Sequence, residues 1–82
     1  MNDLNTKALE ESLKSLSQHS DVHGQLQILT QLGQTYQSKR RYQKALIYFR
    51  QALDLVKDQS NPNHQIVALV NIGCVYWEMS QL

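Results

Sequence analysis

Residues 26–53 constrain this chain more than any other part of it. Leu29, Leu32, Gly33 and Tyr36 recur at helical spacing, Lys39-Arg40-Arg41 interrupts them, and Tyr42, Ala45, Phe49 and Ala52 then recur in turn. Apolar residues three and four apart mark the buried face of a helix, so the stretch reads as two amphipathic helices joined by a tight turn. The small residues narrow the reading. With Gly33 facing Ala45 and Ala52 across such a hairpin, two helix backbones approach closely, whereas large side chains would hold them apart.

The flanks carry echoes of this pattern. Residues 3–16 read as a helix, with Asn2 or Asp3 as N-cap and Leu4, Ala8, Leu9, Leu13 and Leu16 as its stripe. Lys7-Ala8-Leu9 and Leu16 return 37 positions on as Lys44-Ala45-Leu46 and Leu53, with Ser15 at the place of Ala52 and Ser12 at that of Phe49. The segment 17–24, rich in Ser, His, Asp and Gly, is expected to be a loop in which Ser20 or Asp21 caps the next helix. That helix runs to about Ser38, and a third is expected from about Arg41 to Lys57. Asn61-Pro62 then opens a fourth, with asparagine as N-cap and proline where its missing N–H does no harm. In it Leu69, Ile72-Gly73 and Tyr76 repeat Leu29, Leu32-Gly33 and Tyr36 at an offset of 40.

The order Leu, Leu-Gly, Tyr, then Ala, Phe and Ala after a turn resembles the tetratricopeptide repeat, a unit of two helices, A then B. The spacing of 40 is similar to the longer-period variant of kinesin-light-chain-like proteins and many bacterial arrays. Arg40 stands where that family usually has the turn glycine, and Lys57 where it often has proline; a side chain at position 40 disfavours the usual left-handed turn. The resemblance implies an all-α fold of antiparallel helical hairpins: four helices in the order B-A-B-A, a short α-solenoid. Residues 1–82 are expected to form a single domain, with a partial-repeat helix at 3–16, a complete repeat at 25–57 and helix A of a truncated repeat at 63–80.

The same resemblance implies a function. A helices of this family line a concave groove, and by position the complete repeat offers Gln27, Thr30, Gln31, Gln34 and Gln37, all polar and uncharged. The last helix offers Val67, Val70, Asn71, Cys74 and Trp77. Such a groove suits an extended or helical peptide, held by amide side chains on its backbone and by an apolar pocket around Trp77. Asn71 is the most specific candidate, since similar repeats grip peptide backbone with an asparagine there. The Lys and Arg clamp that some members use for C-terminal carboxylates is absent, with Thr30 and Gln34 in the key places. The plain alternative is that the glutamines are solvated helix face, since Gln is a good helix former.

The last helix is apolar nearly all round, as interior helices are. Leu69, Ile72 and Tyr76 are expected to face a missing B helix, while Ile66, Ala68 and Val75 pack on the preceding one. Left in water, each large side chain forgoes about 1.5–3 kcal/mol, and repeat arrays usually end in a helix with a polar outer face. Self-association through Leu69, Ile72, Tyr76, Trp77 and Met79 is therefore expected, unless the chain is a piece of a longer array. Head-to-tail docking of the first helix repeats into a filament unless it closes, so a C2 dimer, with or without exchanged helices, is the favoured form. A purely structural homo-oligomerisation module with no external ligand is the competing class.

Other chemistry finds little support. Eight basic and seven acidic residues among 82 give a net charge of +1, no general attraction for nucleic acid or an anionic membrane. The basic knot Lys39, Arg40, Arg41 and Lys44 lacks interleaved aromatics and reads as a solvated turn. His19 and His23 have no third ligand, so no metal or cofactor is expected. Cys74 is the only cysteine and has no basic neighbour in sequence to activate it. Glu10-Glu11 reads as solvated face. No enzyme activity is expected. The apolar run 66–75 is too short to span a bilayer, and with no signal-like segment after Met1 the expected location is cytoplasmic.

Overall fold

Among the described residues four helices follow one another: α1 (Asp3–Gln18), α2 (Val22–Ser38), α3 (Tyr42–Val56) and α4 (Pro62–Met79). The computed structural model describes the backbone of residues 3–18, 22–59 and 61–82, and the side chains of residues 6–15, 22–59 and 61–82. Among the described residues there is no strand. Each helix packs on the next, most extensively α2 on α3. The expected caps Asn2, Ser20 and Asp21, together with His19 and the side chains of Asp3, Leu4, Leu16 and Ser17, lie outside the described residues.

The core forms where the periodic positions of three helices meet. Leu32 and Tyr36 of α2, Ala45, Leu46 and Phe49 of α3 and Val75 of α4 are buried together, and Leu9 and Leu13 of α1 close over them. Phe49 is the largest fully buried side chain. It, rather than Ala45 or Ala52, is what Gly33 faces: a Cβ built on Gly33 would lie 2.6 Å from Cδ1 and 2.7 Å from Cζ of the Phe49 ring. Ala45 and Ala52, one turn to either side of Phe49, are themselves buried. The glycine makes room for the ring, and the alanines let the surrounding backbone come in.

The turn between α2 and α3 keeps its left-handed residue without a glycine. Arg40 has φ of 61°, its N–H donates to the Gln37 carbonyl at 3.0 Å, and the Arg41 N–H reaches the Tyr36 carbonyl at 2.9 Å. This pair of bonds closes the helix end in a Schellman arrangement. A side chain held at positive φ costs about 1–2 kcal/mol. The lysines beside it are not simply solvated, since Lys39 and Lys44 place their Nζ atoms 5.8 and 4.9 Å from the Tyr36 ring centroid.

Helix boundaries depart from expectation between α1 and α2. The loop read at 17–24 is shorter, because α1 continues to Gln18 and α2 already begins at Val22. Val22 and Leu26 are half-buried, which outweighs the roughly 1 kcal/mol that Gly24 costs in a helix. The start of α4 is as expected: Asn61 Oδ1 accepts from the Asn63 N–H at 3.0 Å, with Pro62 at the first helical position.

Candidate protein-interaction surfaces

Of the residues expected to line a groove, those of α2 up to Gln34 border two clefts. Gln31 and Gln34 are exposed and border a cleft of about 500 Å³ whose other wall is Ala8, Leu9 and Ser12 of α1. Gln27, Thr30 and Gln31 line a smaller hollow of about 290 Å³ with His23 and Leu26. Thr30 turns its hydroxyl back to the Leu26 carbonyl at 2.8 Å. Gln37 is committed elsewhere: its amide donates to Glu78 Oε2 at 2.9 Å, tying α2 to α4.

Trp77 borders a cleft of mixed polar and apolar character. The cleft there, about 420 Å³, is walled by Gln37, Ser38, Arg40, Tyr42, Glu78, Gln81 and Leu82. Val67, Val70, Asn71 and Cys74 line none of these three clefts. Val67, Val70 and Cys74 are exposed and Asn71 is half-buried. The reason is geometric: α4 has no further helix on its far side among the described residues, so its valines stand on an open face.

That open face carries several exposed large apolar side chains. Helix α4 turns Ala68 and Val75 inward, with Ile72 and Met79 packed against the same core. Positions 68, 72, 75 and 79 thus form the buried stripe, and Ile72 and Met79, expected in a self-association surface, serve their own chain. Ile66, expected to pack on α3, is instead 55% exposed. With it on the outward side stand Leu69 at 55%, Val70, Tyr76 and Trp77 at 65%. Tyr76 is partly engaged, its hydroxyl hydrogen-bonded by the Arg50 guanidinium, which also sits 6.0 Å from its ring centroid. Gly73 lies in the middle of this face, and a Cβ built there would meet nothing within 4 Å.

Several polar residues given no role from sequence tie the helices together. Tyr48 of α3 donates to Glu10 Oε2 of α1 at 2.8 Å, so Glu10 is not merely solvated. Burial, and then this bond and the Glu10 charge, push the Tyr48 hydroxyl well above its usual pKa. Gln65 donates to the carbonyls of Val56, Lys57 and Gln59 at 3.1–3.2 Å, satisfying the end of α3. His23, in the first turn of α2 rather than in a loop, has its ring 6.4 Å from that of His64. Among the described residues no three His, Cys, Asp or Glu side chains come together as a metal cluster, and no helix is long and apolar enough to cross a membrane.

Helical hairpins stacked in series, with a Leu-Gly-Tyr pattern returning at a fixed period, define an α-helical repeat protein. The sequence model of the tetratricopeptide repeat matches residues 3–58 and again residues 24–82. The chain belongs to the tetratricopeptide repeat family, whose members in general mediate protein–protein interaction. No curated protein and no solved structure gave a significant match.

Proposed function

We propose that this chain is a non-catalytic interaction scaffold that binds a peptide or protein segment across the exposed side of α2 and α4. The observation that carries this is the cleft between α1 and α2, where the uncharged amides of Gln31 and Gln34 stand free beside the apolar Leu9 and Ala8. Amides can pair with the backbone of an extended segment regardless of its sequence, while the apolar wall holds one side chain. Gln27 and Thr30 extend the polar row toward the start of α2, and Asn71, Val67, Val70, Cys74 and Trp77 offer a second contact on α4. Such a scaffold needs no cofactor, and a cytoplasmic setting suits its free thiol.

A peptide array probed with the purified chain tests this reading. Binding should fall about tenfold in Gln34→Ala and in Asn71→Ala, with helical circular dichroism unchanged. Equal binding by wild type and both variants contradicts it.

The outward face of α4 favours a second reading, a self-associating module. Ile66, Leu69, Val70, Tyr76 and Trp77 form one exposed apolar surface, and contiguous apolar surface of this kind marks interaction sites. Light scattering across a concentration series should then give a mass near twice 9.5 kDa, and a constant monomer mass contradicts it.

A further inference from the structure

We infer that two copies of this chain pair through antiparallel α4 helices that cross at Gly73, with Leu69 of one copy against Trp77 of the other. The inference rests on the self-association reading and adds its geometry.

The outward stripe of α4 is nearly symmetric about Gly73. Leu69 and Trp77 stand four residues to either side, Val70 and Tyr76 three, and Ile66 and Ser80 seven, and all are exposed. Reversing the direction of such a helix places large side chains opposite large ones. An antiparallel pair therefore brings Leu69 onto Trp77 and Val70 onto Tyr76, twice each, around a two-fold axis that passes between the two glycines. The operation closes after two copies.

Gly73 itself points the same way. Glycine inside a helix weakens it, and within one copy nothing lies near enough to need its missing side chain. Gly33, its counterpart 40 residues earlier, is filled by Phe49. At a helix crossing a glycine lets the two backbones approach closely, which is the use the exposed position lacks in a single copy. No charge on α4 itself opposes the pairing, and the one cation at its edge, Arg50 of α3, is held on Tyr76. Glu78 is the only Asp, Glu, Lys or Arg on α4, and it is turned aside to Gln37.

Head-to-tail docking fits less well. Helix α1 of a second copy, laid on α4 as α3 lies on α2, would bring Ser12 where α3 brings Phe49, and a serine leaves the space above Gly73 unfilled. A contact made mainly by one helix of 18 residues, about 27 Å long, lies at the small end of stable interfaces. Association in the micromolar range follows.

Charge-swap variants test the pairing. Sedimentation of the full chain over about 1–500 µM is expected to give a dimer that becomes a monomer in Leu69→Glu and in Trp77→Lys. The Leu69→Glu/Trp77→Lys double variant should regain the dimer, because antiparallel crossing at Gly73 sets each new acid against a new base of the other copy. Helical circular dichroism on every sample separates lost pairing from lost folding, and if either single variant unfolds, Leu69→Gln and Trp77→Gln, which should each weaken the dimer at least tenfold, take its place. A wild-type monomer throughout overturns both the inference and the self-association reading. A wild-type dimer that survives the single variants, or that the double variant does not restore, overturns the crossing at Gly73 while leaving self-association standing.

Discussion

Gly33 and Gly73 hold the same place in two copies of one local pattern, yet their surroundings are opposite. Around Gly33 the pattern is complete: Phe49 fills the space a side chain would take, Leu32 and Tyr36 are buried beside it, and a Schellman turn returns the chain. Around Gly73 the space is open, and Leu69 and Tyr76, the counterparts of Leu29 and Tyr36, are about half exposed. The comparison teaches that a repeat signature encodes what a helix is shaped to receive. Whether it receives it depends on the neighbour, and α4 has a neighbour on one side only among the described residues.

Removing the ring that fills the first seat should have the largest effect. Phe49→Ala is expected to cost about 3–5 kcal/mol, a large share of the stability of a small domain, and urea denaturation followed by circular dichroism would show it. Filling the glycine's space from the other side comes next. Gly33→Ala should destabilise by about 1–3 kcal/mol through overpacking against Phe49, despite alanine's better helix propensity.

Gly73→Ala should act with the opposite sign. In dilute samples the new methyl group meets open space, so stability is expected to rise by about 0.5–1 kcal/mol; loss of stability in a dilute urea titration would mean that the face is not open. At high concentration the same variant should weaken self-association. Two identical substitutions with opposite signs would be the sharpest statement of the difference between the seats.

Smaller effects refine the closed half. Arg40→Gly should stabilise by roughly 0.5–1 kcal/mol, because glycine adopts positive φ without strain but loses more chain entropy on folding; a fall in urea midpoint would contradict the turn geometry. At alkaline pH the Tyr48 hydroxyl holds its proton longer in the folded chain than in the unfolded one, where it titrates near pH 10. Its raised pKa therefore contributes stability that is present below about pH 10 and is lost as pH rises toward the folded value. Tyr48→Phe should remove this part of the alkaline loss, checked by comparing urea midpoints at pH 8 and above pH 10.

The helices and their order were legible in the sequence because periodicity and caps are local signals. Asn61-Pro62 marks the start of α4, and the alternation of small and large residues marks the α2–α3 hairpin. What was not legible depends on how helices cross. Gly33 faces Phe49 rather than the alanines because the register of the two helices, set by the turn at Arg40, decides which residue of α3 comes opposite. On α4 apolar residues occupy almost every direction, so spacing alone cannot choose between the stripe containing Ile66 and that containing Ile72 and Met79. The bonds Glu10–Tyr48 and Gln37–Glu78 join residues 38 and 41 positions apart, a distance at which no local pattern announces a pair. The amide row of Gln27, Gln31 and Gln34 was legible as a surface, but the clefts that divide it depend on where α1 lies.

Trp77, the only tryptophan, stands on the open face and reports on it directly. Its fluorescence, recorded from dilute to concentrated samples, tests whether a second copy covers what α4 leaves bare. The expected result is emission at the long wavelengths of a solvated indole on dilution, moving to shorter wavelengths as concentration rises, with no shift in Leu69→Glu. A spectrum that stays the same across the whole range would contradict it.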